Sequence, residues 1–194
     1  MTEERAHARE SNDASVIRGN GIGEHAEAHG RYEIECIGSD GKLKWREAID
    51  NVVQTVGKNL ALDTFLAGSA YTVTGPYMGL ISSTSYTAVD ASDTMASHAG
   101  WLEAGGTNAP TYSGNRKTAA WSAAAAGSKA LSAALSFAIT STGTVKGAFL
   151  VFGSGASATK DNTSGTLWSA GTFSTGDKAV VNGDQLNINY STSL

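Results

Sequence analysis

The sequence predicts an all-β chain, an antiparallel sandwich or barrel. Short runs of alternating apolar and polar residues recur, as in Tyr32-Glu33-Ile34-Glu35-Cys36 and Leu186-Asn187-Ile188-Asn189-Tyr190. Clusters of Gly, Ser, Thr and Asn separate these runs, as tight turns between strands require. Charged residues make up 16% of 194 residues, with 23 Gly and 2 Pro, against roughly 25% charged in ordinary globular domains. Small, uncharged residues suit a chain of short strands with a largely covered surface.

Charge is uneven along the chain. Of the 32 charged residues (14 basic plus 18 acidic), 18 fall in the first 50 positions. Residues 1–29 are polar and lack apolar periodicity, so they are expected to form an extended N-terminal arm, either dispensable or ordered against a neighbouring subunit. Residues 30–194 are expected to form the β-sandwich domain.

From Arg31 to Ile37, Tyr32, Ile34 and Cys36 share one face and the charges the other, the pattern of a half-buried strand. Gly38-Ser39-Asp40-Gly41 predicts a turn. Lys42–Arg46 alternates again, with Leu43 and Trp45 expected inward. Glu33 and Glu35 are placed to face Lys42, Lys44 or Arg46 across the hairpin, each pair contributing about 0.2–1 kcal/mol.

Val52, Val53 and Val56 suggest a short strand. Gly57–Leu66 predicts a helix whose buried stripe is Leu62, Phe65 and Leu66, with Gly68 as its stop. A second helical turn is expected over Ser92–His98, capped by Ser92 or Asp93 and ended by Gly100. Strands are expected at Tyr77–Ser82, Trp101–Ala104, Lys117–Ser122, Leu131–Ile139, Val145–Phe152, Leu167–Phe173 and Gln185–Tyr190. The alanines of 131–139 also admit a helix. Val145–Phe152 is apolar almost throughout, so burial on both faces is expected.

Net charge is −4 and the pI is near 5.5. No basic stripe is visible, which argues against a nucleic-acid partner. No apolar run approaches the ~20 residues that span a bilayer, and the first residues lack the apolar stretch of a secretory signal. The single cysteine, Cys36, forms no intrachain disulfide and is expected to be a buried small hydrophobe.

Chemistry-bearing patterns are weak. Gly19-Asn20-Gly21-Ile22-Gly23 superficially resembles a phosphate loop but has no strand before it. His25 and His29 lie one helical turn apart, yet no third ligand or H-E-x-x-H order accompanies them. No G-x-S-x-G pattern exists, and His98 is expected to pack or cap locally. The acids of the ordered region, among them Asp90, Asp93, Glu103, Asp161, Asp177 and Asp184, fall mostly at turns. No catalytic, cofactor or metal residue is assigned. Trp45, Trp101, Trp121 and Trp168 are dispersed, one per strand, as core or interface anchors would be; a carbohydrate-stacking set is the competing reading. The candidate interface residues are Trp101, Trp121, Trp168, His98 and Arg116.

The run Ser92-Asp93-Thr94-Met95-Ala96-Ser97-His98-Ala99-Gly100-Trp101 resembles a family of small virion proteins of tailed phages, especially podophages. The likeness continues in the Asp40-Gly41 hairpin with Trp45, in Asn51–Gly57 leading into Leu60-Ala61-Leu62-Asp63, and in the pair Tyr112 and Arg116. It ends with Val145–Leu150 and the closing strand Gly183–Tyr190. The match covers roughly 30–194; the arm and the alanines of 121–127 carry no motif. The resemblance implies a virion structural protein, made in the host bacterial cytoplasm. Its first form is a capsid cement or decoration protein with a jelly-roll-like antiparallel β-sandwich and one or two short helices. The expected partners are the major capsid protein and copies of itself, as a homo-oligomer. The alternative is a tail accessory or fibre-attachment protein; a carbohydrate-binding module is the competing class.

Overall fold

The computed structural model of the chain describes residues 28–66 and 74–193. The polar arm, the glycine run at 19–23 and His25 lie outside the described residues, save Ala28 and His29 at the arm's end. Two antiparallel sheets pack face to face, as the alternating runs require.

The first sheet holds β1 (His29–Ile37), β2 (Leu43–Asp50), β7 (Ser128–Ala130), β8 (Leu135–Ala138) and β12 (Gln185–Ser193). Its order is β2-β1-β12, with β7 and β8 both pairing β12. The second sheet runs β3 (Val52–Val53), β10 (Thr166–Thr172), β9 (Gly143–Phe152), β4 (Tyr77–Ser82) and β5 (Glu103–Ala104). Here β6 (Lys117–Thr118) pairs β4, and β11 (Lys178–Val180) pairs β9. One helix, α1 (Thr55–Leu66), lies against β10.

The first sheet is covered on one face. Tyr32, Ile34 and Cys36 of β1 and Leu186, Ile188 and Tyr190 of β12 point inward and are buried. Their neighbours Arg31, Glu33, Gln185 and Asn189 point to water. The second sheet is covered on both faces. Met78, Leu80, Ala148 and Leu150 join the core between the sheets. Ile81, Phe149, Val151, Leu167 and Ala170 pack with Met95 and Trp101 in a second core. This explains why 145–152 reads as almost continuously apolar.

Both flanks of the sandwich are closed. On one flank Lys178 bonds to Glu47, and Trp45 Nε1 donates to Ala179 O at 3.3 Å. On the other, bridges join Trp121 to Leu131 and Tyr112 to Ile139. Tying edges together in this way limits the strand surface open to strangers.

Several expectations are corrected. Leu43 is 53% exposed, because the β1–β2 register shifts between Cys36 and Ile37, so that Ile37 rather than Gly38 meets Leu43. Trp45 does turn inward, half-buried against the core with its ring edge-on to Phe173 at 5.7 Å. Of the cross-hairpin pairs, Glu35–Arg46 forms; Glu33 sits by Arg31 at 3.5 Å, and Lys44 turns to Asp184. The helix starts at Thr55 and takes Val56 from the predicted strand. It faces β10 with Gly57, so Leu62 and Leu66 are exposed. Ser92–His98 is not helical. A Thr94–Ser97 bridge closes a tight turn there, and Asp93 spends its carboxylate on Trp101 rather than on a helix end. The stripe 131–139 is interrupted: Ala133 is exposed and only Leu135–Ala138 is a strand. The strands expected at 101–104 and 117–122 shorten to β5 and β6, while β7 and β11 were not anticipated.

Candidate functional site

The densest set of charged groups in the interior sits at one end of the second sheet. Glu103 comes from β5, and Arg116 from the turn before β6. Both side chains are almost fully buried, at 4% and 0% exposed. Arg116 Nε donates to Glu103 Oε1 at 2.9 Å and its Nη2 to Oε2 at 2.6 Å. Two further donors reach Ser157 O at 3.0 Å and Asn162 O at 2.7 Å. Glu103 Oε2 also accepts the Asp161 N–H at 2.8 Å. The Phe149 ring lies 5.3 Å from the guanidinium. Gly79 makes the room: a Cβ there would stand 2.4 Å from Phe149 and 3.0 Å from Glu103 Oε1. Desolvating such a pair is costly unless the fork is met, and here Nε and Nη2 meet both carboxylate oxygens.

Two further groups extend the network. Lys160 Nζ donates to Gly105 O at 2.8 Å and Tyr112 O at 2.6 Å, over the Tyr112 ring at 3.9 Å. Burial and the nearby Lys117 charge hold this ammonium below its ordinary pKa. Asp161 Oδ2 accepts from Thr107 N at 2.8 Å and Thr107 Oγ1 at 2.9 Å. The result is a clasp that fixes the loop 105–116 to the loop 153–165. Burial raises the Tyr112 phenol well above its usual range, and its hydroxyl meets no hydrogen-bond partner among the described residues. The clasp backs an open cleft of about 240 Å³, lined also by His98, Leu102, Asn108 and Thr163.

The 92–101 run builds the cover over the outer face of the second sheet. Met95 and Trp101 insert into the second core. Trp101 Nε1 donates to Asp93 Oδ2 at 2.9 Å, which also accepts Asp90 N–H. His98 stacks on Trp101 with ring centroids 4.0 Å apart, and its Nδ1 meets Trp101 O at 3.0 Å. Gly100 is required sterically, since a Cβ would stand 2.1 Å from Ala88 O. Asp93, Met95, His98, Gly100 and Trp101 therefore all have folding roles.

A third polar cluster lies between β2 and β12. Asp184, 2% exposed, accepts from Lys44 Nζ at 2.6 Å and Val181 N at 2.9 Å, with Cys36 Sγ at 3.7 Å. Burial alone would raise its carboxyl; the Lys44 bond and the Val181 N–H outweigh that, so it sits below the ordinary range. Burial and the Asp184 charge push the Cys36 thiol up to about 11, which leaves it protonated and a poor nucleophile.

Of the candidate interface residues, the structure places Trp101, Trp168 and Arg116 in the interior. Trp168 Nε1 donates to Tyr190 OH at 3.0 Å. His98 and Trp121 are partly exposed, on different parts of the molecule: His98 at the cleft, Trp121 beside Tyr190 on the sheet flank. The five do not form one patch. Glu103 and Asp161 were visible only as turn acids, and Lys160 was not singled out. Its partners lie 48 and 55 residues away, beyond any local pattern. Among the described residues no three His, Cys, Asp or Glu side chains converge as a metal site, and no helix is long and apolar enough to cross a membrane. No family model, curated protein or solved structure matches the chain.

Proposed function

We propose that this chain is a structural protein of a tailed-phage particle, first of all a cement or decoration protein bound to the capsid shell. The observation that carries the reading is how the clasp uses its charges. Glu103, Arg116 and Asp161 are committed to protein partners at 3.0 Å or less, so their chemistry goes into holding loops in place. A catalytic acid or base must instead be free to meet a substrate, and the reading is therefore non-enzymatic. The likeness of residues 92–101 to podophage virion proteins supports it from the sequence side.

A cement protein must bridge neighbouring subunits and resist pressure from within. A sandwich with a doubly covered sheet and closed flanks offers rigid faces for that purpose. Its outer first-sheet face carries paired charges, Arg31 beside Asp50 and Glu33 and Arg46 beside Glu35, suited to polar contacts repeated over a symmetric shell.

The test is the copy number in purified virions, measured by quantitative mass spectrometry against the major capsid protein. Parity with the capsid protein is expected. A few copies per particle would move the assignment to the tail or its fibres, and absence would overturn the virion reading.

A further inference from the structure

We infer that the cleft backed by the clasp binds one pyranose ring of a neutral saccharide, between the side chains of His98 and Leu102 and those of Asn108, Asp161, Asn162 and Thr163, all of which line it. The cleft is open and holds about 240 Å³, less than drug-sized ligands fill. One sugar ring suits that space, with any further units left in solvent. The formal charges around it cancel. Glu103 pairs with Arg116, and Lys160 lies behind them within reach of the Asp161 charge. The site therefore offers no excess charge to select an anion or a cation.

What the clasp leaves over is a mixture of donors and acceptors. Asp161 spends Oδ2 on Thr107, and no bond among the described residues engages its Oδ1. Asn108 donates through Nδ2 to Glu103 O at 3.1 Å, which leaves its Oδ1 as an acceptor. Asn162 Oδ1 accepts the Ser164 N–H at 2.9 Å, which leaves its Nδ2 as a donor. The hydroxyl of the exposed Thr163 can serve as either. His98 Nδ1 meets Trp101 O, and a carbonyl only accepts, so Nδ1 carries a proton and Nε2 is the nitrogen open to another partner. Sugar hydroxyls donate and accept at once, so a ring that carries several of them can satisfy such a mixed set. A carboxylate or phosphate would use only the donors, and an ammonium only the acceptors.

The C–H groups of a pyranose need an apolar surface as well. Leu102, 37% exposed, supplies one, and His98 adds a ring with an apolar body and a polar edge. The site is also fixed before a ligand arrives. Arg116 holds the carbonyls of Ser157 and Asn162, and Lys160 holds those of Gly105 and Tyr112, so little ordering entropy is lost on binding. Gly106 admits the Asp161 carboxylate, since a Cβ there would stand 2.1 Å from Oδ2. A ring of about a dozen heavy atoms, at the efficiency of ordinary ligands, gives a dissociation constant on the order of 1 mM. No tryptophan takes part: Trp101 and Trp168 are buried, and Trp121 lies beside Tyr190 on another flank. The inference is independent of the virion reading, which the copy-number experiment tests separately.

Titration of the isotope-labelled full chain, followed by its amide NMR shifts, tests the inference. The probes are the methyl glycosides of glucose, galactose, mannose, rhamnose and N-acetylglucosamine, taken well above that constant. At least one should give saturable shifts at residues 98–108 and 160–163, while acetate and methylammonium give none there. Thr163→Trp fills the cleft from its exposed rim, touches no bond of the clasp, and should abolish binding with the rest of the spectrum unchanged. His98→Phe keeps a ring on Trp101 but removes Nε2, and should weaken binding about tenfold, the loss of one hydrogen bond. Thr163→Trp carries the test if the His98 variant misfolds. No saturable shift with any of the five glycosides, shifts centred elsewhere such as the Trp121 flank, or binding undiminished by Thr163→Trp overturns the inference; so do shifts at the cleft with acetate or methylammonium alone.

Discussion

Arg116 shows how much one buried side chain can hold. Its guanidinium joins β5 to two loop carbonyls, at Ser157 and Asn162, so removing it strands several buried acceptors together. Arg116→Met should cost about 3–5 kcal/mol, since Glu103 is left buried and unpaired. The double change Glu103→Leu with Arg116→Met should cost less than Arg116→Met alone, because no lone charge remains. Denaturant unfolding of the two variants checks this, and a double variant less stable than the single one would refute the assignment. Asp184 makes a pH-dependent contribution. Its folded pKa lies below the unfolded value near 3.8, so the stability it adds is present above that value and is lost as pH falls through the lower folded one. Asp184→Asn should therefore melt well below wild type at neutral pH, with the gap closing below about pH 3.8. A gap constant from pH 7 to pH 2 would exclude the Lys44 and Val181 bonds as its source.

Helix α1 runs against its own pattern. Its apolar residues at Leu62 and Leu66 predicted a buried stripe, yet they face water, at 55% and 81% exposed. The contact with β10 is made instead at Gly57, where a Cβ would stand 2.9 Å from Trp168 Cε3 and 3.2 Å from its main chain. Close approach of backbone to an indole left no apolar periodicity to read. Gly57→Ala would ordinarily favour a helix by about 1 kcal/mol; here it should lower the melting temperature, because the main chain of β10 cannot give way. The Ala125–Ser128 turn reverses the sign. Ala126→Gly relieves a positive φ of 49° there and should stabilise by about 1 kcal/mol, a gain that a thermal melt detects. Strands were more legible than the helix. β1 and β12 each bury one face, so period two shows directly in Tyr32, Ile34 and Cys36 and in Leu186, Ile188 and Tyr190. β7 left no signal because all its residues are exposed, and β11 has three residues of mixed burial.

At the scale of the whole molecule, the sandwich was legible and its polar clasp was not. Alternation is local and survives in sequence, whereas Glu103, Arg116, Lys160 and Asp161 meet only after β4, β5 and β9 have assembled. The run at 92–101 stood out in the sequence, but its role as a cover appears only when Trp101 and Met95 are seen beneath it. The two-faced burial of the second sheet has a measurable consequence. Amides open to exchange only when their cover is lost. β9 is paired by β4, β10 and β11 and buried between two cores, so its middle stays covered until the first sheet or the 83–101 cover is lost. β12 has one face in water. Hydrogen exchange should therefore be slowest at Gly147–Val151, slower than in β12, and fastest among 122–130. Trp101→Ala removes the main support of the cover and should cost about 3–5 kcal/mol. If that variant accelerates exchange in β9 while leaving β1 and β12 protected, the outer core opens as a unit of its own. If both sheets accelerate together, the sandwich and its cover unfold as one.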